Sequence, residues 1–276
     1  MILSTIEAEP LTATIGAVVT GVDPTRLDDA QVADLRALLL DRLVLVFRGH
    51  RLTEAEHVGF ATRFGRVHYP PVPTKHGGPP EINVLDQVNP AGDGADMWHN
   101  DNTYTAVPPM ASILKAVQVP SVGGDTCFAS MYAAYDALSP ALRDMVDDLR
   151  AVHDITRQVT KAVARGHADL DVAAMRAKFP PVEHPVVRTH PETGRKTLFV
   201  NPNSTTRIVG LHERESEVLL ELLFEHVRSP DFQCRVAWTD DTIVFFDNRC
   251  VQHYAVPDYH ERRIMHRVTL EGDRPY

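Results

Sequence analysis

The run 242-TIVFFDN-248 sets the class of fold that the sequence predicts, because β-branched and aromatic residues form a continuous apolar stretch ending at a turn-forming Asp-Asn pair. Such a stretch is typical of a strand. Similar runs recur along the chain, with Gly, Pro and Asp turns between many of them. They are IGAVVTGVD, LVLVFRG, EINVLD, ASILKAVQVP, GGDTCFAS, HPVVRTH, KTLFVN, CRVAW and RIMHRVTLEG. The sequence therefore predicts a multi-stranded sheet framework.

Helical patterns interrupt these strands. Apolar residues stand at helical spacing in DDAQVADLRALLLDRL, SPALRDMVDDLRAV and ESEVLLELLFEHV. Thr53 and Glu56 form a capping box that predicts a helix start, and Ser139 before Pro140 predicts another. We expect an α+β, mainly β fold with a sandwich or jelly roll decorated by helices. Residues 1–276 should form a single domain, with 156–180 as a candidate lid between two strand-rich halves.

Charge and composition exclude several classes of protein. The 276 residues include 28 Lys and Arg against 37 Asp and Glu, and this net charge of −9 disfavours nucleic acid and anionic membranes as partners. No run reaches the roughly 18 apolar residues of a membrane-spanning helix, and a signal-peptide pattern is absent. Three cysteines without a CxxC spacing favour a reducing compartment and give no sign of a metal site. We expect a cytoplasmic protein.

The run 96-DMWHNDNTY-104 holds a candidate metal site. His99 and Asp101 are two positions apart, and on an extended strand such side chains point to the same face. His253, in the β-rich run FFDNRCVQHYAV, could supply a third ligand. Two imidazoles and one carboxylate on one face of a metal are typical of non-heme Fe(II) oxygenases. The alternatives are a capped loop or ion pair at 99–101, a core histidine at 253, and a plain Asx-turn at Asp247 and Asn248.

Candidate anion-binding residues follow from the run HERRIMHRVTL and from GGDT. Arg263 and Arg267 are four positions apart and so share one face of a strand. A guanidinium group matches a carboxylate or sulfonate through paired hydrogen bonds. Pairing with Asp or Glu at a solvated edge is the alternative. The Thr126 hydroxyl could bind an anion, or GGDT could simply be a turn.

Six segments extend the pattern over nearly the whole chain: WHNDNTY, GGDTCFASMYAAYDALSP, HPVVRTHPETGRKTLFVN, TTRIV, DNRCVQHYAV and RRIMHRVTL. Together, in this order, they closely resemble the TauD/TfdA family of Fe(II)- and 2-oxoglutarate-dependent dioxygenases. The resemblance implies a double-stranded β-helix core with iron bound by His99, Asp101 and His253. It also implies that Thr126 and Arg263 hold the distal carboxylate of 2-oxoglutarate.

The activity implied by the resemblance is hydroxylation of a small anion that Arg267 binds. The substrate would be taurine or another sulfonate, a sulfate ester or a carboxylate; O₂ and 2-oxoglutarate would be consumed and succinate and CO₂ released. A hydroxylated sulfonate would collapse to an aldehyde and sulfite. The resemblance also suggests a homo-oligomer, a dimer or tetramer. The competing hypotheses are a zinc hydrolase using the same ligands and an inactive anion-binding module.

Five positions depart from the pattern that contacts taurine in this family. Pro70 and Pro73 stand where a His and a Tyr are expected, and Ala95 replaces an Asn. Ile155 and Ser204 each stand where a Phe is expected. These changes predict a pocket that keeps its anion anchor in Arg267 but no longer recognises a small amine. They favour a larger or more apolar anion over taurine.

Overall fold

Sixteen strands, seven α-helices and one short 3₁₀ helix (Pro230–Phe232) lie in the part of the chain that the structure, a computed structural model, describes, namely residues 6–69, 78–88, 96–164, 166 and 170–276. The strands are β1 (Glu7–Pro10), β2 (Ala17–Thr20), β3 (Val44–Phe47), β4 (Val67–His68), β5 (Asn83–Gln87), β6 (Ala111–Gln118), β7 (Thr126–Ser130), β8 (Arg150–His153), β9 (Val182–Pro185), β10 (Val187–Thr189), β11 (Lys196–Leu198), β12 (Thr205–Ile208), β13 (Gln233–Val236), β14 (Ile243–Asp247), β15 (Val251–Ala255) and β16 (Arg263–Leu270). The helices are α1 (Asp29–Arg42), α2 (Glu54–Thr62), α3 (Met131–Asp136), α4 (Pro140–Val146), α5 (Thr156–Ala164), α6 (Val172–Lys178) and α7 (Glu213–Val227). Within these described ranges the longest helix, α7, has 15 residues, and none is long and apolar enough to cross a bilayer.

The predicted strand at 242–248 is confirmed as β14, inside an eight-stranded sheet. The strand order is β1-β2-β3-β14-β6-β16-β4, with β5 beside β16. β14 pairs antiparallel with β3 and β6, so Val244 lies opposite Val46 on one side and Leu114 on the other. All of its residues are buried. This strand therefore has a partner along both edges.

The apolar run in β14 is continuous because both faces of the sheet are covered. Successive residues of a strand point to opposite faces. Phe245 packs against Phe60 of α2, with ring centroids 6.2 Å apart. Phe246 packs on the other face against Phe128 of β7, with centroids 5.3 Å apart. One face of the sheet thus carries helices and the other carries a second sheet.

The second sheet has the order β13-β7-β15 and completes a sandwich around the Phe246 side of the core. Two small sheets, β12-β8-β9 and β10-β11, lie beside it in the fold. Helices α1 and α2 contribute Leu39 and Phe60 to the core on the outer face of the eight-stranded sheet. The predicted α+β, mainly β architecture with a double-stranded β-helix core is confirmed.

The predicted helix starts are correct, but one helix end is not. Glu56 N donates to Thr53 Oγ1 and Thr53 N donates to Glu56 Oε2, which is the capping box at the start of α2. Ser139 Oγ accepts from Leu142 N at the start of α4. The helical pattern predicted through residue 152 is wrong beyond Val146, because residues 150–153 pair with β9 and β12. Tertiary pairing there overrides local helical propensity.

The segment 156–180 contains α5 and α6. Val159 of α5 is buried with Ile155 and Tyr104. Phe179, just after α6, contacts Tyr104 edge to face, with ring centroids 5.5 Å apart. The described part of this segment therefore packs on Tyr104, the last residue of the run that holds the candidate metal site. Residues 165 and 167–169 lie outside the described residues, and the function of 156–180 as a lid stays a prediction.

Candidate metal and anion site

The two histidines of the candidate metal site are joined through their backbones. His99 and His253 form an isolated antiparallel bridge, in which His99 N donates to His253 O at 3.0 Å and His253 N donates to His99 O at 2.8 Å. Asp101 lies in the turn that follows, where Asn102 has a φ of 52°. The prediction that one extended strand carries both His99 and Asp101 is therefore wrong. The bridge brings the histidines together, and the turn brings in the carboxylate.

Asn248 explains why the chain turns at this point. Its Oδ1 accepts from Asp101 N at 2.6 Å, and its Nδ2 donates to Asp101 O at 3.1 Å and to Pro109 O at 2.9 Å. Asn100 Nδ2 donates in the opposite direction, to the carbonyls of Asn248 and Val251. These bonds satisfy backbone groups that a strand would otherwise pair with a neighbour. The connection between β14 and β15 thus positions Asp101.

The three predicted ligands lie close enough to share one metal ion. Asp101 Oδ1 is 3.9 Å from His99 Nε2 and 4.0 Å from His253 Nε2. Ligand atoms that are each roughly 2.1 Å from one ion are at most about 4.2 Å apart. All three side chains are buried. The donor set and its spacing therefore fit a single ion bound by two imidazoles and one carboxylate.

Protonation states at these residues also suit a metal. His99 Nδ1 lies 2.7 Å from Met97 O, a group that only accepts, so Nδ1 carries a proton, and in the neutral ring Nε2 is then the nitrogen that can bind a metal. Burial, together with the adjacent His99, lowers the pKa of His253 well below its ordinary value, so this imidazole is neutral. Neutral imidazoles are the form that binds metals.

Asp101 is held in its ionised form. Burial alone would raise its pKa, but the charge of Arg267 and the hydrogen bond from Ser112 act against that effect, and the pKa lies well below its ordinary value. Ser112 Oγ donates to Asp101 Oδ2 at 2.7 Å, and Arg267 Nη1 donates to Oδ1. Sequence reasoning missed Ser112, which lies on β6 and carries no local signal of this contact.

Thr126 and Arg263 form a second polar group beside the metal ligands. Arg263 is 3% exposed; its Nε donates to Gly124 O at 3.1 Å and its Nη2 to Thr126 Oγ1 at 3.4 Å. Trp238 Nε1 also donates to Thr126 Oγ1, at 3.0 Å, and the Arg263 guanidinium lies over the Trp238 ring. Gly124 has a φ of 72°, and a Cβ there would come within 3.3 Å of Arg263 Cδ. The loop before β7 thus leaves room for the buried Arg263 side chain and accepts a hydrogen bond from its guanidinium.

All six residues predicted from the sequence line one cavity of about 170 Å³: His99, Asp101, Thr126, His253, Arg263 and Arg267. Arg263 and Arg267 reach it from the same strand, β16, as their spacing predicts. The cavity therefore combines a three-ligand metal arrangement with two arginines. Such a site can hold a cation and two anionic groups side by side.

Comparison with known protein families identifies this combination. Residues 7–269 match the family model described as taurine catabolism dioxygenase TauD, TfdA family. The chain belongs to the TauD/TfdA family. The dioxygenases of this family use Fe(II), 2-oxoglutarate and O₂, so the predicted cofactors are confirmed, and the His-Asp-His triad agrees with them.

Individual relatives align with this chain over nearly its whole length and over nearly the whole of their own. The (S)-phenoxypropionate/alpha-ketoglutarate-dioxygenase of Sphingobium herbicidovorans is 37% identical over 96% of this chain and 94% of its own. An alpha-ketoglutarate-dependent sulfate ester dioxygenase of Pseudomonas putida is 36% identical, covering 98% of this chain and 91% of its own. The crystal structure of a taurine dioxygenase from Burkholderia xenovorans is 39% identical with a TM-score of 0.83, over 98% and 92% of the two chains. This TauD/TfdA protein is therefore a 2-oxoglutarate-dependent dioxygenase. Membership of this family argues against the zinc hydrolase and the inactive binding module.

A second cluster in this TauD/TfdA chain has the residue types and the spacing of a metal site, but its carboxylate is already paired. His190, Asp247 and Cys250 are fully buried and near one another. Arg249 donates to both carboxylate oxygens of Asp247, at 2.9 and 2.6 Å, and His190 Nε2 lies 3.1 Å from Oδ2. The carboxylate is thus fully engaged, and Arg249 N also donates to its Oδ1, which confirms the Asx-turn. We interpret this cluster as structural.

The departures from the family's taurine contacts have different outcomes in the structure. Pro70, Pro73 and Ala95 lie outside the described residues. Ile155 is buried in a small apolar cluster and is not among the described residues that line the cavity. Ser204 is buried and does line it. Gln158 and Asn203, which sequence reasoning missed, line it as well, so this part of the pocket is more polar than the departures suggested.

Proposed function

We propose that this TauD/TfdA protein is an Fe(II)- and 2-oxoglutarate-dependent dioxygenase that hydroxylates a small organic anion. The names of its relatives include a phenoxypropionate, a sulfate ester and a taurine dioxygenase. The proposed substrates are accordingly sulfonates, with taurine among them, sulfate esters and aryloxy carboxylates. A sulfonate hydroxylated next to sulfur would collapse to an aldehyde and sulfite. The observation that carries the proposal is the single cavity shared by the triad and the two arginines.

In this proposal His99, Asp101 and His253 hold Fe(II). Their spacing, their burial and the contact of His99 Nδ1 with Met97 O support the assignment. Fe(II) and 2-oxoglutarate, when bound, supply with O₂ the oxidising chemistry that yields succinate and CO₂. The protein orients the two substrates and keeps bulk water out of a largely buried site.

Arg263 and Thr126 are proposed to bind the distal carboxylate of 2-oxoglutarate. The guanidinium is fixed at Nε by Gly124 O and is buried, so little side-chain freedom remains to be lost on binding. A buried guanidinium with a neighbouring hydroxyl is well suited to one carboxylate. The indole of Trp238 supports both residues.

Arg267 is proposed to bind the anionic group of the substrate. Its Nη1 donates to Asp101, whereas its Nε is buried and has no hydrogen-bond partner among the described residues. A buried N–H group without an acceptor is costly, and a sulfonate, sulfate or carboxylate oxygen would satisfy it. Because Arg267 also contacts the proposed metal ligand Asp101, an anion bound there would lie next to the reacting centre.

The remaining parts of the proposal concern the whole protein. We propose that residues 1–276 form one TauD/TfdA-type domain, that the protein is cytoplasmic, and that it assembles as a dimer or tetramer. Sedimentation of the purified protein, with a monomer as the contradicting result, tests the assembly.

Succinate formation from 2-oxoglutarate tests the proposed function. The purified protein is supplied with Fe(II) and O₂ and with taurine, alkanesulfonates, alkyl sulfates or aryloxy carboxylates in turn. We expect at least one of these anions to stimulate succinate formation and to be oxidised. The matched variants are Arg267→Ala, which should lose the stimulation, and Arg262→Ala, which removes an exposed arginine paired with Asp86 and should keep it. Absence of stimulation by every anion would contradict the proposal.

A further inference from the structure

Among the polar side chains that line the cavity, three come from α5 and the loop before β12 and have no function in the site described so far. They are Gln158 from α5, and Asn203 and Ser204 from the loop before β12. Leu85, Leu114 and Ala255 line the cavity as well, so these polar groups indicate a substrate that is only partly apolar.

Asn203 carries the main observation. The residue is 2% exposed, and its Oδ1 is buried without a hydrogen-bond partner among the described residues. Nearly all buried polar groups in proteins are hydrogen-bonded, so an unpaired amide oxygen beside a cavity calls for a donor from a ligand. Because the O and N atoms of an amide are assigned from their surroundings, the partner should be a group that donates and can also accept. A hydroxyl or an amide N–H group meets this requirement.

The loop that carries Asn203 is fixed relative to the metal motif. Asn201 Oδ1 accepts from the backbone N–H groups of Asn203, at 3.2 Å, and of Ser204, at 2.9 Å. Asn201 Nδ2 donates to Thr103 Oγ1 at 3.1 Å, and Thr103 lies two residues after Asp101. Asn203 is therefore held at a set position with respect to the triad, as specificity requires.

The start of α5 is tied to the same loop. Asp154 N donates to Ser204 O at 2.9 Å, and Arg157 Nη1 donates to Thr205 O at 2.9 Å. These bonds place Gln158, the residue after Arg157, beside the Asn203 loop at the cavity. Gln158 is half-buried and its longer side chain can adapt to the ligand. The two amides thus form one polar wall built from two elements.

We propose that the substrate carries a hydroxyl or amide N–H group on the part remote from its anionic group, and that Asn203, with Gln158 beside it, binds that group. The inference rests on the proposed function, in which Arg267 binds the anion. The substrate class is then a sulfonate, sulfate ester or carboxylate with a polar remote end. A plain alkyl or phenyl end would leave the Asn203 amide unpaired, which disfavours it.

Matched substrate pairs test the inference. Butanesulfonate is compared with its terminal hydroxyl analogue, and phenoxyacetate with para-hydroxyphenoxyacetate, by measuring kcat/KM for succinate formation. We expect the hydroxylated member of at least one pair to be favoured by roughly tenfold or more. Asn203→Leu should reduce this ratio to near one, and Gln158→Leu should reduce it in part. Arg262→Ala, which lies outside the cavity lining, should leave it unchanged.

The outcomes separate the inference from the proposed function. Equal kcat/KM within every pair in the wild type, or a preference that both leucine variants retain, would overturn the inference while leaving the dioxygenase activity in place. No succinate from the wild type with any of these anions would overturn the proposed function, and the inference with it. Binding of 2-oxoglutarate to each variant, measured by calorimetry, shows that the site has folded. If Asn203→Leu fails to fold, Asn203→Ala and Gln158→Leu provide the same comparison.

Discussion

Arg267 donates a hydrogen bond to the oxygen of Asp101 that faces both imidazoles of the triad. The other oxygen of Asp101 accepts from Ser112 Oγ. One carboxylate oxygen therefore serves the proposed anion-binding arginine and, in the proposal, the metal ion. Substrate binding and metal binding are expected to be coupled through Asp101.

The first prediction concerns this coupling. Arg267→Gln should tighten metal binding by roughly three- to tenfold, because a cation that contacts Asp101 Oδ1 competes with the metal for it. Anaerobic calorimetric titration with Co(II) measures the Kd. Arg262→Gln is the matched control, because Arg262 is exposed and pairs with Asp86. A weaker Kd in Arg267→Gln would show instead that the guanidinium holds Asp101 in the geometry that binds the metal.

The second prediction separates the two arginines of β16. Arg263→Ala should raise the Kd for 2-oxoglutarate by roughly 30- to 150-fold, because a charge-assisted interaction of about 2–3 kcal/mol is lost. Arg263→Lys keeps the charge but loses the planar fork and should be intermediate. Arg267→Ala should leave this Kd nearly unchanged while abolishing stimulation by the anionic substrate. Equal effects of both alanine variants on 2-oxoglutarate binding would refute the division of roles.

The third prediction concerns Asn248 as a positioning residue. Asn248→Ala removes the three hydrogen bonds that join its side chain to the backbone of Asp101 and Pro109. We expect the free energy of unfolding to fall by about 2–3 kcal/mol, since each buried bond contributes about 1 kcal/mol. The Kd for Co(II) should rise by tenfold or more, because the turn no longer presents Asp101. Loss of stability with an unchanged Kd would limit Asn248 to a structural function.

The fourth prediction concerns the buried cluster around Asp247. Asp247→Asn leaves the buried Arg249 with Glu192 as its remaining described charge partner and should lower the free energy of unfolding by about 3 kcal/mol. Asp86→Asn, at the exposed pair with Arg262, should cost less than about 1 kcal/mol. Urea denaturation of both variants measures the difference. Comparable losses would mean that the Asp247 pair contributes no more than a surface pair.

The same carboxylate predicts a pH dependence. Burial alone would raise the pKa of Asp247, but Arg249 and His190 hold the pKa below its ordinary value. A carboxyl group with a lowered native pKa stabilises the fold above its unfolded pKa of about 4, and this stabilisation is lost as the pH falls towards the native pKa. The stability of the wild type should therefore decline below about pH 4, and that of Asp247→Asn should decline less steeply. Parallel curves would exclude Asp247 as a source of the acid sensitivity.

Much of the fold was predictable because its local signals agree with its packing. The apolar run of β14 is a strand with both faces covered, and the capping box at Thr53 and Glu56 begins α2 as expected. The helical pattern after Ser139 misled beyond Val146, because residues 150–153 form the strand pairs that a single segment cannot reveal.

The site was predictable for a different reason. His99, Asp101 and His253 belong to motifs whose residue types suit one chemistry, and the cavity brings them together. The means of assembly could not be foreseen, because the turn at Asp101 depends on Asn248, which lies 147 positions away in the chain. Asn203 was missed for a similar reason, since only the folded loop shows a buried amide facing the cavity.

The central claim is tested most directly by measuring succinate formed and O₂ consumed together, in the wild type and in Asp101→Ala, with Fe(II), 2-oxoglutarate and a stimulating anion. The account predicts equal amounts of succinate and O₂ in the wild type and loss of both in Asp101→Ala, with Arg262→Ala behaving as the wild type. Undiminished succinate formation in Asp101→Ala, or none in the wild type, would contradict it.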